Sequence, residues 1–107
     1  MNSALKLMNR PDAQRLTEKE IRQLELKYSE TAADHYPAAA KRDAIDGLVV
    51  VEMLLNAEGQ VLEAEVAAES PAGFGFGIAA LDAAKTFEFR NVFKRRVLLT
   101  WQYEFVP

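Results

Sequence analysis

Cysteine is absent from the chain, and histidine appears once, as His35. No cysteine means no disulfide framework and no thiolate nucleophile. A lone imidazole without thiolates cannot build a typical zinc centre, and no serine–histidine–aspartate arrangement can be assembled around it. His35 stands at a helix break beside Tyr36-Pro37, which suits a capping or surface role. Long hydrophobic runs are missing too. Nothing approaches the ~20 apolar residues of a membrane helix, and the opening Met1-Asn2-Ser3-Ala4-Leu5-Lys6 lacks the apolar core of a signal peptide. Strong charge is also lacking. The formal net charge of −3 gives no bulk argument for nucleic acid as a partner.

What is present describes one small globular unit. Half of the 107 residues are hydrophobic, enough for a single core and too many for a disordered chain. Residues 1–12 show no hydrophobic period and read as a tail or linker, leaving 13–107 as the domain. Thr17-x-x-Glu20 is a capping box, with Leu16 and Ile21 placed as its hydrophobic staple. Ile21, Leu24 and Tyr28 then share one helical face, so the pattern predicts a helix over 17–33. Pro37 is suited to a first helical position and predicts a short helix to about Asp43.

Three stretches predict strands. Residues 48–55 are almost continuously apolar, with Val49, Val51, Met53 and Leu55 on one face and Leu48, Val50, Glu52 and Leu54 on the other. Asn56-Ala57-Glu58-Gly59 is a turn signal. It leads to a second strand over 60–68 that puts Leu62, Ala64, Val66 and Ala68 inward and Glu63 and Glu65 in water. Residues 96–106 alternate most clearly, with Val97, Leu99, Trp101, Tyr103 and Phe105 on one face. A helix is predicted over 75–86, and Phe87 and Phe89 mark a return to extended chain. The predicted class is α+β in two layers. It has a three-stranded antiparallel sheet of order 2-1-3, one packing helix, a short helix before the first strand and an extra N-terminal helix. Leu48, Val50 and Leu54 need a cover, and the stripe on the N-terminal helix is the expected one.

No constellation of nucleophile, base and electrophile emerges, so the expectation is a protein that is not an enzyme and needs no cofactor or metal. The glycines of Gly73-Phe74-Gly75-Phe76-Gly77 have the wrong spacing for a dinucleotide site. Glu63 and Glu65 alternate on an exposed strand face, where carboxylates serve solubility. Charge is nonetheless uneven. Five acids and no base lie between Gly47 and Ala72, and five bases with one acid between Lys85 and Arg96. That is the pattern of solvated faces, with a basic rim beside the last strand that favours an acidic partner.

Taken in order, Tyr36-Pro37 with Ala40, Gly47 before an alternating strand, Glu58-Gly59 at a turn, Leu81-Asp82-Ala83-Ala84-Lys85, Phe87-x-Phe89 and a closing strand form a pattern. It resembles the C-terminal domain of the TonB family of energy transducers. Asn91 stands near the place where that family has a proline, and the loop before the last strand is short. The resemblance implies a periplasmic, non-enzymatic domain that binds an extended segment, the TonB box, of an outer-membrane transporter by strand addition to a sheet edge. In sheet order 2-1-3 the last strand is an edge. The expected partner site is that edge with its basic rim: Lys94, Arg95, Arg96, Leu98, Thr100, Gln102 and Glu104. No nucleic-acid partner and no membrane insertion by this segment are expected. The alternative is an assembly or self-associating module of an envelope or secretion complex with the same fold, since open edges also allow a homodimer.

Overall fold

The computed structural model describes residues 10–107. The part of the expected tail that covers residues 1–9 lies outside the described residues. The three long strands form where the alternation puts them: β3 (Gly47–Leu55), β4 (Val61–Ser70) and β6 (Val97–Phe105). β3 lies between the other two and pairs with both in antiparallel fashion. Ahead of them run β1 (Gln14–Arg15), α1 (Glu18–Ile21), β2 (Glu25–Tyr28), α2 (Ala32–His35) and α3 (Ala38–Arg42); α4 (Phe76–Ala84) and β5 (Glu88–Arg90) fall between β4 and β6.

The fold is α+β, but its sheet departs from the expected three-stranded antiparallel form. The main sheet has four strands in the order β1-β6-β3-β4, and β1 runs parallel to β6, so the sheet is mixed. β2 and β5 make a separate two-stranded antiparallel ribbon. The helix predicted over 17–33 is a single turn. The capping box forms, with Glu20 N–H donating to the Thr17 hydroxyl and Thr17 N–H to the Glu20 carboxylate. Beyond Ile21 the chain turns and pairs with Glu88–Arg90, because that ladder supplies hydrogen-bond partners from a distant segment that local helical spacing does not outweigh.

The core lies between the sheet and α4. Ala79, Ala80, Ala83 and Ala84 face inward, and their small side chains let the helix approach the strands closely. Opposite them stand Val49, Val51, Met53, Leu55, Val97, Leu99 and Phe105, all buried. Phe76 is fully buried and packs on Phe105 at 5.0 Å between ring centroids. A Cβ at Gly47 would lie 2.6 Å from the Phe76 ring, so glycine is what lets that ring sit on the strand. Trp101 is half-buried and packs edge-on against Phe87 and Phe89 at 5.6 and 5.5 Å.

β4 does not keep a single phase. Its register with β3 shifts between Val50 and Val51 and again between Leu54 and Leu55. Each bulge adds a residue and turns the side chains that follow to the other face. Val61, Ala64 and Val66 therefore pack on the core, whereas Leu62 and Ala68, expected inward, are exposed.

The expected cover for Leu48, Val50 and Leu54 is corrected as well. Ile21 and Leu24 pack on the main core instead, and Tyr28 is exposed. Leu54 is buried with Leu98 beneath Ala13, which belongs to the segment ahead of α1, while Leu48 stays partly exposed. That segment crosses the open face of the sheet as a strap. Arg10 reaches Glu63 on β4 at 2.8 Å, and Asp12 meets Arg96 at 2.8 Å beside β6.

Candidate functional site

β6 has one side toward β3 and one side outward. The outward side is identified by its partners: Gln14 N–H donates to Arg96 O at 3.0 Å and Leu16 N–H to Leu98 O at 2.8 Å. In an antiparallel pair a residue turns both main-chain groups the same way, and the direction alternates. Arg96 and Leu98 point outward, so Thr100, Gln102 and Glu104 do too. β1 pairs only with Val97 and Leu98. Among the described residues no strand pairs with the outward side of the stretch from Thr100 to Glu104; its other side is taken by β3.

Of the residues expected at this edge, Lys94 and Arg95 are exposed in the turn before β6, and Lys94 has a positive φ of 55°. Arg96 is held by Asp12. Leu98 is buried and its outward carbonyl is taken by Leu16. Gln102 and Glu104 are exposed. Thr100 donates its hydroxyl to Glu52 at 2.5 Å. β1 thus separates the basic turn from the open part of the edge.

Glu52 is the buried charge of the open face, at 4% exposure. Its Oε1 has no directional hydrogen bond and is neutralised instead by Arg15 Nη1 at 2.6 Å. A buried carboxylate needs such a partner, so Arg15 ties β1 to β3 across β6. At the other end of the strap the Arg10 guanidinium, aided by Arg96, holds the Asp12 carboxyl down to about 2. A hollow of about 540 Å³ runs alongside the open edge, lined by Leu16, Glu18, Ile21, Arg22, Thr100 and Gln102. Leu16, Ile21 and the strap residues were not among the expected site residues. A two-residue strand carries no periodicity; the hydrophobic staple drew attention to Leu16, and the staple and the helical stripe to Ile21, in neither case as a site residue.

The opposite edge of the sheet is β4. It carries Glu63 and Glu65, and its two bulges break the regular spacing of main-chain groups that an added strand needs. Away from both edges, His35 Nε2 lies 2.5 Å from the Glu30 carboxylate, and Tyr103 donates to Glu30 O at 3.2 Å. Burial raises the Tyr103 phenol above its ordinary value.

A family model described as the Gram-negative bacterial TonB protein C-terminal matches residues 32–105. The chain belongs to this family. Comparison with curated proteins returned no match. TonB C-terminal domains are non-enzymatic protein-interaction domains, periplasmic in Gram-negative bacteria, and the family connects this chain with transport energy coupling. No helix among the described residues is long and apolar enough to cross a membrane. The match starts at residue 32, so β1, α1 and β2 come from a stretch ahead of the TonB-like part.

Proposed function

We propose that this domain binds an extended segment of an outer-membrane transporter by strand addition along the outer edge of β6. The observation that carries the reading is the row of outward main-chain groups at Thr100, Gln102 and Glu104, free of a paired strand. Main-chain pairing supplies affinity in this mode, and pockets for alternate side chains supply selectivity. The hollow between α1 and the edge, with Leu16 and Ile21 in its wall, is a pocket for one such side chain. The bulged β4 edge offers no comparable row.

Of the expected partner residues, Thr100, Gln102 and Glu104 form the accessible part, while Lys94, Arg95, Arg96 and Leu98 lie at or beyond β1. Binding is expected to be weak, because ordering a flexible segment offsets much of the contact energy. The test is a titration of isotope-labelled protein with a TonB-box-type peptide. Amide shifts along 100–104 are expected. Shifts confined to 61–70, or none at millimolar peptide, would refute the reading.

A further inference from the structure

Residues 12–16 already offer β6 what an extended partner would bring. Gln14 and Leu16 donate main-chain N–H groups to its edge. Asp12 lays a carboxylate on Arg96 at 2.8 Å. Leu16 anchors the end as a side chain only 4% exposed. The segment runs parallel to β6 and pairs over just two residues. Its ion pairs at Asp12 and Arg10 are exposed, and such pairs hold weakly and are screened by salt; the tie with a buried partner is Arg15 to Glu52 at 2.6 Å, which any segment that displaces the strap must replace. It also lies outside the family-matched stretch.

We propose that residues 12–16 are a competitor in cis for the docking edge, and that the partner is an extended segment of the same pattern. Such a segment runs parallel to β6, places an acidic residue on Arg96 and follows it, three positions on, with a base that takes over Glu52 from Arg15 and, four positions on, with an aliphatic residue that takes the place of Leu16. The inference rests on the docking edge proposed above. With β1 in place, a partner reaches only Thr100 to Glu104. With β1 displaced, the edge begins at Arg96, and both Arg96 and Glu52 lose their partners until the incoming acid and base replace Asp12 and Arg15. Because the competitor is tethered, it acts at a high effective concentration. A strap docked ~90% of the time weakens a competing ligand about tenfold. The edge thereby rejects segments that offer main-chain pairing alone and admits those that also match the charge and the apolar anchor.

Two full-length variants release the strap by different means. Gln14→Pro removes the N–H that Arg96 O accepts, and Asp12→Arg turns an attraction for Arg96 and Arg10 into repulsion. The probe is an end-blocked peptide with the sequence of residues 10–18 of this chain. Amide exchange at Leu98 is measured first, followed by a titration monitored by amide shifts. The expected result is Leu98 exchange about tenfold faster in both variants and probe binding about tenfold tighter than to the parent, with shifts along 96–104. The same peptide carrying Asp12→Arg is expected to lose that gain. Equal affinity for parent and variants, with shifts only at 100–104, would overturn the competition and leave the docking edge standing. Faster exchange at Leu98 with no binding to any form would overturn both. Unchanged exchange in both variants would show that these contacts do not hold the strap, and would overturn the inference alone.

Discussion

Gly59→Ala is expected to be among the most damaging single-methyl additions in the domain. Gly59 closes the β3–β4 turn at φ +93°, and a Cβ there would sit 1.8 Å from the Phe89 carbonyl oxygen. Two costs add. A side chain in the left-handed region loses roughly 1–2 kcal/mol. The carbonyl must also move, and it belongs to a residue that donates its own N–H to Gly59 O at 2.9 Å and packs on Trp101. Forcing a buried group aside costs about 1–3 kcal/mol. The total is about 2–5 kcal/mol, or a fall in Tm of roughly 10 °C or more for a domain of this size. Gly73→Ala is the matched control, since Gly73 has φ +89° and nothing within 4 Å of its would-be Cβ. It should lose only the backbone term. Urea denaturation of both variants separates the two contributions. If the two midpoints agree to within about 0.5 kcal/mol after conversion, the argument from close approach is refuted.

Asn91 should behave as a structural hub of the loop before β6. It is buried, donates to Asn56 O at 3.0 Å and Arg95 O at 2.8 Å, and accepts from Phe93 N–H at 3.0 Å. Asn91→Ala leaves those groups without a partner and is expected to cost about 2–4 kcal/mol by urea denaturation; a loss under about 1 kcal/mol would contradict that role. Acid should loosen the strap before it unfolds the domain. Asp12 has its carboxyl depressed from 3.8 to about 2, so its contribution is fully present above 3.8 and disappears as pH falls through that window. Leu98 and Ala13 methyl shifts followed by NMR should titrate between pH 4 and about 2 while core methyls such as those of Val51 hold; strap methyls that stay constant over that range would exclude the mechanism.

Residues that act locally were legible in the sequence. The alternation at 96–106 and the apolar run at 48–55 each fix a face, and the capping box at Thr17 and Glu20 formed as its spacing demands. Ile21, Leu24 and Tyr28 misled because a three- and four-residue spacing over so short a stretch is also compatible with a turn entering a strand. The partner that decides between them, Glu88–Arg90, lies some sixty residues away. Leu62 and Ala68 misled because a bulge is a property of the pair of strands and leaves no mark on either one alone. At the candidate site, strand parity puts Thr100, Gln102 and Glu104 in one phase, but that their main-chain groups turn outward rests on the pairing of Arg96 and Leu98 with β1. The occupation of Arg96 and Leu98 by Asp12, Gln14 and Leu16 was not legible, since two paired residues have no period to read.

The two bulges of β4 have a consequence for how many chains this sheet can join. A sheet with two regular edges can be extended from both sides without end, as stacked strands are in a fibril. Among the described residues of the main sheet, only the β6 side keeps a regular row. On the docking edge proposed above, the main sheet would therefore take one added strand. A peptide docked as proposed would saturate it at one to one. Two copies that met edge to edge through β6 would use both regular edges of the main sheet and leave the bulged ones outward, so growth of that sheet would stop at the pair.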